Sequence, residues 1–138
     1  MKKLFISCPM RGLSDEVIKK VREKMHKLAE IYFDQELEVI NSHIPPAYDL
    51  PESTNRRIWC LGRSIQMMAD ADYFIGIGYG FRHLYPGCDM EDNVAYAYNI
   101  SSIRVDLNDL HIPELDEAIK VARDSMYSKS VESTTALL

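Results

Sequence analysis

Two apolar stretches decide the fold, Leu4-Phe5-Ile6-Ser7 and Tyr73-Phe74-Ile75-Gly76-Ile77, because each has the length and composition of a buried strand. Each runs straight into a loop rich in special residues. Cys8-Pro9-Met10-Arg11-Gly12 follows the first stretch, and residues 78–91 follow the second. Open α/β folds bind their ligands at the carboxyl edge of a parallel sheet. If both stretches are parallel strands, we expect the two loops to lie together at that edge.

The rest of the chain alternates between helical and strand patterns. Ser14 is placed to cap a first helix of about twenty residues with apolar positions at helical spacing. In the second helix, Ile58, Leu61, Ile65 and Met68 are expected to face the core. The remaining predicted elements are helices over 55–71, 90–98 and 114–126, and strands over 37–41 and 102–106. Residues 42–54 form a long loop of the kind that often carries function.

This alternation predicts a single Rossmann-like (flavodoxin-like) α/β domain with a parallel sheet of about four to five strands and helices on both faces. Right-handed crossovers favour the strand order 2-1-3-4. In that order the chain reverses direction between strands 1 and 3, so the two loops flank the switch point. The domain is expected to cover residues 1–127. Residues 128–138 are expected to be a tail that is either disordered or crosses to a partner subunit.

Composition narrows the class of partner. The chain has 138 residues and a net charge of −5, which disfavours nucleic acid and anionic membranes as partners and favours a small molecule. Three cysteines without ligand-type spacing are typical of reduced thiols in a cytoplasmic protein. The apolar run after Lys2-Lys3 stops at Cys8-Pro9, too soon for a signal peptide or a membrane span.

Glu91 is the first candidate for chemistry. We expect it in the first turn of the third helix, where the helix dipole would keep the carboxylate ionised. An ionised carboxylate can attack an anomeric carbon or stabilise the oxocarbenium ion that forms there. The alternative is that Asp89, Glu91 and Asp92 are ordinary acidic residues at a helix start.

Arg11 and Gly12 form the second candidate. An arginine fork beside free backbone N–H groups in a strand-to-helix loop can hold a phosphate, although Arg11 could equally be a solvated loop residue. A phosphatase loop is disfavoured, because only two residues separate Cys8 from Arg11.

Other side chains suggest weaker sites. A zinc site built from Cys8, His43, His83 and Cys88 lacks ligand-motif spacing, so no metal and no cofactor is predicted. The glycines at 76, 78, 80 and 87 do not form a dinucleotide fingerprint. We expect them to allow close backbone approach and a mobile lid. Nucleobase stacking is open to four aromatic residues, of which Trp59 is more typical of a core: Trp59, Tyr79, Phe81 and Tyr85.

Three motifs together resemble the nucleoside 2-deoxyribosyltransferase superfamily, and most closely its small phage- and prophage-type members. Phe5-Ile6-Ser7-Cys8-Pro9-Met10-Arg11-Gly12 is similar to the first strand and loop of that family. Asp70-Ala71-Asp72-Tyr73-Phe74-Ile75 is similar to its third strand. Gly87-Cys88-Asp89-Met90-Glu91-Asp92-Asn93-Val94-Ala95 is similar to its signature helix, and the resemblance covers about residues 3–106.

The resemblance implies cleavage or transfer at the N-glycosidic bond of a 2′-deoxynucleoside or its 5′-monophosphate, with Glu91 as nucleophile. Arg11-Gly12 resembles the phosphate-holding loop of the deoxynucleoside monophosphate N-glycosidases. The resemblance also implies a homodimer or higher homo-oligomer whose sites borrow residues from a neighbouring subunit. The expected substrate-binding positions are Cys8, Pro9, Met10, Arg11, Gly12, Gly78, Tyr79, Tyr85, Gly87 and Cys88.

Three positions depart from the family pattern. Phe5 stands where the transferases have a tyrosine that orients the glutamate, and Tyr85 stands where they have an aspartate that binds base or sugar. Asn93 replaces the signature glycine. Phe5 and Tyr85 leave open an alternative, a non-catalytic nucleotide-binding module of the same fold.

Overall fold

The computed structural model describes residues 1–42 and 50–137, with the side chains of the last helix described as far as Tyr127. Within these residues, four parallel strands form one sheet in the order β2-β1-β3-β4. The strands are β1 Lys2–Ile6, β2 Leu37–Val39, β3 Tyr73–Ile77 and β4 Ser101–Val105. The predicted Rossmann-like α/β fold and its strand order are confirmed.

Helices connect the strands. They are α1 Asp15–Phe33, α2 Arg56–Met68, α3 Tyr79–Arg82, α4 Pro86–Ala97 and α5 Pro113–Leu137, with a 3₁₀ turn at Leu107–Leu110 before α5. Helix α3 is a single turn that the sequence pattern did not predict. None of the helices in the described part of the chain is long and apolar enough to cross a membrane.

Side-chain caps begin the two helices that follow β1 and β2. The Ser14 hydroxyl accepts a hydrogen bond from the Val17 N–H at 3.3 Å, as predicted. The side-chain oxygen of Asn55 accepts a hydrogen bond from the Ile58 N–H at 3.1 Å. These caps set where α1 and α2 start.

Apolar side chains cover both faces of the sheet, which confirms the predicted layers. One face packs against buried residues of α1 and α5, such as Met25 and Leu115. On the other face Phe5 and Phe74 stack with their ring centroids 6.0 Å apart, beside Met68 of α2 and Ala95 of α4. The sheet therefore fixes the positions of α1 and α4 on opposite sides of its carboxyl edge.

The predicted inward face of α2 is wrong in its first half. Ile58 is 66% exposed, whereas Met68 is the one buried residue of this helix. Leu61 and Ile65 are half-buried. Periodicity identifies which residues share a face of a helix, but it does not reveal whether another element lies against that face.

Two helix boundaries also differ from the prediction. The third predicted helix was expected to begin at Met90, but α4 begins at Pro86, because proline suits the first position of a helix. The last helix was expected to end at residue 126, but its backbone is helical to Leu137, because no Gly or Pro interrupts that segment. The boundary between a domain of residues 1–127 and a tail stays a prediction. Most of the predicted long loop, residues 43–49, lies outside the described residues.

Candidate active site

The loops after β1 and β3 meet at the carboxyl edge of the sheet. The Ser7 N–H donates to the Ile75 carbonyl at 2.9 Å, and the Gly78 N–H donates to the Val105 carbonyl at 2.9 Å. These bonds continue the ladder between neighbouring strands just beyond their ends. Helix α4 then brings Glu91 to the same edge.

Glu91 is held by the hydroxyl of Ser7. Ser7 Oγ donates to Glu91 Oε1 at 2.7 Å, and the two residues are 1% and 8% exposed. Because α4 begins at Pro86, Glu91 lies in the second turn of the helix, so the expected first-turn position is wrong. The expected stabilisation of the charged form by the helix start is wrong as well. Burial raises the pKa of Glu91 to about 7, although the Ser7 hydrogen bond and the charge of Arg22 oppose that rise.

Ser7 is a site residue that sequence reasoning missed. Side chains two apart in a strand point to the same face of the sheet, so Ser7 follows Phe5 on the face that α4 covers. Phe5 stacks on Phe74 in the core and offers no hydroxyl. Ser7, two residues after Phe5, supplies the hydroxyl that contacts Glu91. The alternation along β1 could have predicted this.

Arg22 of α1 is a second missed residue. Its charge lowers the pKa of both Glu91 and Cys8, although burial dominates at both groups. It also lines a cavity of about 410 Å³ beside the ends of β1 and β2, together with Ile6, Val39 and His26. Arg22 therefore lines this cavity and also acts on Glu91 through its charge. Nothing in the sequence distinguishes Arg22 from the other cations along α1.

Cys8 and Cys88 are buried thiols. Burial raises the pKa of Cys8 to about 12 and that of Cys88 to about 12, and the charge of Glu91 adds to both shifts. The Cys8 thiol donates to the Pro9 carbonyl at 3.5 Å. A thiol that stays protonated is a poor nucleophile and a poor metal ligand. Both residues are therefore neutral groups in the surroundings of Glu91.

The four residues weighed as a zinc site, Cys8, His43, His83 and Cys88, do not form a metal-binding group within the described residues. In residues 1–42 and 50–127, no group of three His, Cys, Asp or Glu side chains could hold a metal ion. His83 is exposed at the end of α3, and His43 lies outside the described residues.

The loop after β1 makes a tight turn around Gly12. Gly12 has a φ of 77°, which only glycine adopts at little cost, and the Leu13 N–H donates to the Met10 carbonyl at 3.1 Å. Pro9 is buried, whereas Met10 and Arg11 are exposed. The turn therefore presents the Arg11 side chain at the surface of the carboxyl edge.

Tyr85 is the N-cap residue of α4 and is buried. It is 4% exposed, and its hydroxyl is the one buried side-chain polar atom among the described residues that has no hydrogen-bond partner. Burial and the neighbouring Cys88 raise the pKa of Tyr85, while the charge of Arg11 lowers it. Gly87 and Cys88 follow in the first turn of α4.

Gly78 and Tyr79 lie at the start of α3. Gly78 is the N-cap of α3, and Tyr79 is 81% exposed with its ring 4.8 Å from the guanidinium carbon of Arg82. Among the predicted glycines, close backbone approach is confirmed at Gly76, where an added Cβ would lie 2.6 Å from the Phe74 ring. The mobile lid stays a prediction.

The acidic neighbours of Glu91 form a separate network with two arginines. Asp92 is 2% exposed, accepts hydrogen bonds from Arg104 at 2.8 and 2.9 Å, and lies 3.5 Å from Arg82. Arg82 also donates to Asp89 at 2.8 Å and to Asn93 at 3.0 Å. Asp89 and Asp92 therefore anchor α4, and they are not merely solvated residues at a helix start.

Comparison with family models, with curated proteins and with solved structures found no match to the chain. The family resemblance therefore rests on the motifs quoted above, and the function is argued from the site.

Proposed function

We propose that this protein cleaves or transfers at the N-glycosidic bond of a 2′-deoxynucleoside or its 5′-monophosphate, with Glu91 as the nucleophile. The observation that carries the proposal is the hydrogen bond from Ser7 to Glu91 Oε1 at 2.7 Å in a buried position at the carboxyl edge. Ser7 fixes one carboxylate oxygen and leaves Oε2 as the oxygen that attacks. The enzyme would be an N-glycosidase or a deoxyribosyltransferase.

The reaction has two displacement steps. In the first, Oε2 of ionised Glu91 forms a bond to C1′ while the C1′–N bond breaks, and the base leaves with the electron pair and takes a proton from solvent water. The product is a deoxyribosyl ester of Glu91. In the second step water or another base attacks C1′, loses a proton, and releases Glu91 as a carboxylate. Water as acceptor makes the protein a hydrolase, and a second base makes it a transferase.

The surroundings of Glu91 suit this role. A carboxylate in a site with little water is weakly solvated, and the Ser7 hydroxyl fixes its orientation without neutralising its charge. Because burial raises the pKa of Glu91 to about 7, about half of the molecules carry the ionised form near neutral pH. The charge of Arg22 favours that form.

A second candidate function, nucleotide binding without turnover, is favoured by the same raised pKa. A protonated Glu91 donates a hydrogen bond to a ligand oxygen or nitrogen and does not attack C1′. Both functions use the same residues, and product analysis distinguishes them.

The test is a chromatographic assay for free base. The purified protein is incubated with each 2′-deoxynucleoside and its 5′-monophosphate, with the matching ribonucleosides as controls. The proposal expects free base from at least one deoxy substrate. Binding of a deoxynucleotide by calorimetry without any base release would identify the binding module instead.

Arg11 is expected to make the protein bind monophosphates more tightly than nucleosides. A charge-assisted contact to phosphate contributes about 1.5–3 kcal/mol, or roughly ten- to a hundredfold in affinity. Arg11→Ala should remove most of the difference between a nucleotide and its nucleoside, and calorimetry with one matched pair measures it. Equal binding of the two ligands to the unmodified protein would identify Arg11 as a solvated loop residue.

A further inference from the structure

The Tyr85 hydroxyl requires an explanation, because buried polar groups are almost always hydrogen-bonded. The side chain is 4% exposed, and its oxygen has no partner among the described residues. A ligand that supplies the missing acceptor would satisfy it. The question is which ligand chemistry the surroundings favour.

Contacts of α5 join it to the loop after β1 and to the segment that precedes Tyr85. The turn after β1 reaches α5, since a Cβ added at Gly12 would lie 3.8 Å from the Ala118 Cβ. Further along α5, Arg123 Nη2 donates to the Gly80 carbonyl at 3.1 Å, and the guanidinium lies 5.1 Å from the Phe81 ring centroid. Arg123 is therefore fixed against the chain segment that leads into Tyr85.

The charges around the hydroxyl are mainly positive. Burial and then Cys88 raise the pKa of Tyr85, Arg11 lowers it, Cys8 raises it and Arg123 lowers it. Both thiols are neutral, because burial raises the pKa of each to about 12. Two guanidinium groups are thus the charged groups that act on this hydroxyl. Both arginines are exposed, so an anion can reach their guanidinium groups from solvent.

We propose that the Tyr85 hydroxyl and the Arg123 guanidinium form, together with Arg11, an anion subsite that holds the phosphate of a deoxynucleoside 5′-monophosphate. The hydroxyl donates one hydrogen bond to a phosphate oxygen, and the two guanidinium forks supply charge-assisted bonds to the others. That the ligand is a deoxynucleotide rests on the proposed function. That the subsite binds an anion is argued from Tyr85, Arg11 and Arg123 alone.

The chemistry of Tyr85 suits an anion. Its side chain is neutral, so it does not repel a phosphate, and its hydroxyl is a free donor among the described residues. Arg123 lies beyond residues 3–106, the part of the chain that the resemblance covers, so no motif assigns it a role.

The experiment compares Tyr85→Phe and Arg123→Gln with the unmodified protein. Calorimetry measures binding of one deoxynucleoside, its 5′-monophosphate and inorganic phosphate. Tyr85→Phe should weaken monophosphate binding on the order of tenfold, and Arg123→Gln roughly ten- to a hundredfold, with nucleoside binding unchanged. Inorganic phosphate should compete with the monophosphate only while both residues are present.

Two controls separate ligand binding from folding. Arg63→Gln removes the same charge from an exposed position of α2, on the other face of the sheet, and should bind all three ligands as the unmodified protein does. Tyr85→Phe without ligand should melt at or above the temperature of the unmodified protein, since it removes an unsatisfied buried hydroxyl.

Unchanged monophosphate affinity in both variants would overturn the subsite, as would an equal loss of nucleoside binding. Failure of the proposed function would give a different experimental result. In that case no base is released, but the monophosphate still binds better than the nucleoside, and the preference still depends on Tyr85 and Arg123.

Discussion

Glu91 and Asp92 are adjacent carboxylates in α4, both buried, and their surroundings differ completely. Asp92 lies between two guanidinium groups, 2.8 Å from Arg104 and 3.5 Å from Arg82. Glu91 accepts a hydrogen bond from the uncharged hydroxyl of Ser7 at 2.7 Å. Burial raises the pKa of Glu91 to about 7, and no lysine or arginine among the described residues forms an ion pair with it.

The difference separates a structural carboxylate from a chemical one. The charge of Asp92 is neutralised by its partners, so its oxygens are poor nucleophiles. Its loss would remove the carboxylate that pairs with Arg104 and would leave Arg82 with Asp89 as its acidic partner. Glu91 keeps its lone pairs available when it ionises. Carboxylates whose environments differ in this way commonly take different roles at an active site.

The largest expected effect is on activity at Glu91. Glu91→Gln should lower base release by on the order of a thousandfold or more, since an amide cannot form the glycosyl ester. The chromatographic assay measures it, and Glu117→Gln, the same exchange at an exposed position of α5, should retain full activity. Equal turnover by the Glu91 variant would remove this residue from the mechanism.

The second effect is on stability at Asp92. Asp92→Asn should lower the free energy of unfolding by about 3 kcal/mol, because it breaks a buried ion pair with two arginines. Urea denaturation measures the loss, and Asp70→Asn at an exposed position should change stability little. A variant as stable as the unmodified protein would contradict a structural role for the Asp92 network.

The third effect is the pH dependence of stability. The folded pKa of Glu91, about 7, lies above the value of 4.5 expected when unfolded, so the folded state binds the proton more tightly. Its contribution is therefore fully present below pH 4.5 and is lost as the pH rises through 7. Between about pH 5 and pH 8 the unmodified protein should lose about 2 kcal/mol relative to Glu91→Gln. Urea titrations at both pH values measure this, and parallel curves would mean that Glu91 is ionised throughout.

The smallest effect concerns Ser7 as a positioning residue. Ser7→Ala should lower base release about tenfold and shift the pH profile upward, because the hydroxyl lowers the pKa of Glu91. Ser7→Thr keeps the hydroxyl and should restore the profile. An activity loss in Ser7→Ala with an unmoved pH profile would indicate a packing role only.

The fold was predictable because its signals are local. The apolar stretches of β1 and β3, the Ser14 cap and the alternation of patterns are each read from a short window, and together they predict the strand order. The helix boundaries were less predictable. The predicted start of α4 was wrong because Gly87, read as part of a loop, lies in the first turn after Pro86.

The candidate site was predictable only in outline. The loops and Glu91 were placed at the carboxyl edge from sequence, but the Ser7 bond joins residues 84 positions apart. Neither Arg22 nor Arg123 differs in sequence context from other surface cations. Burial, which decides the pKa of Glu91, depends on packing that no local pattern encodes.

The most direct test of the account is whether Glu91 becomes glycosylated during turnover. The protein is quenched in acid while it processes a deoxynucleoside 5′-monophosphate, and peptide mass spectrometry locates any adduct. We expect a deoxyribosyl 5′-phosphate adduct on Glu91 in the unmodified protein and no adduct in Glu91→Gln. Base release with no adduct at any time point, or an adduct on another side chain, would contradict Glu91 as the nucleophile.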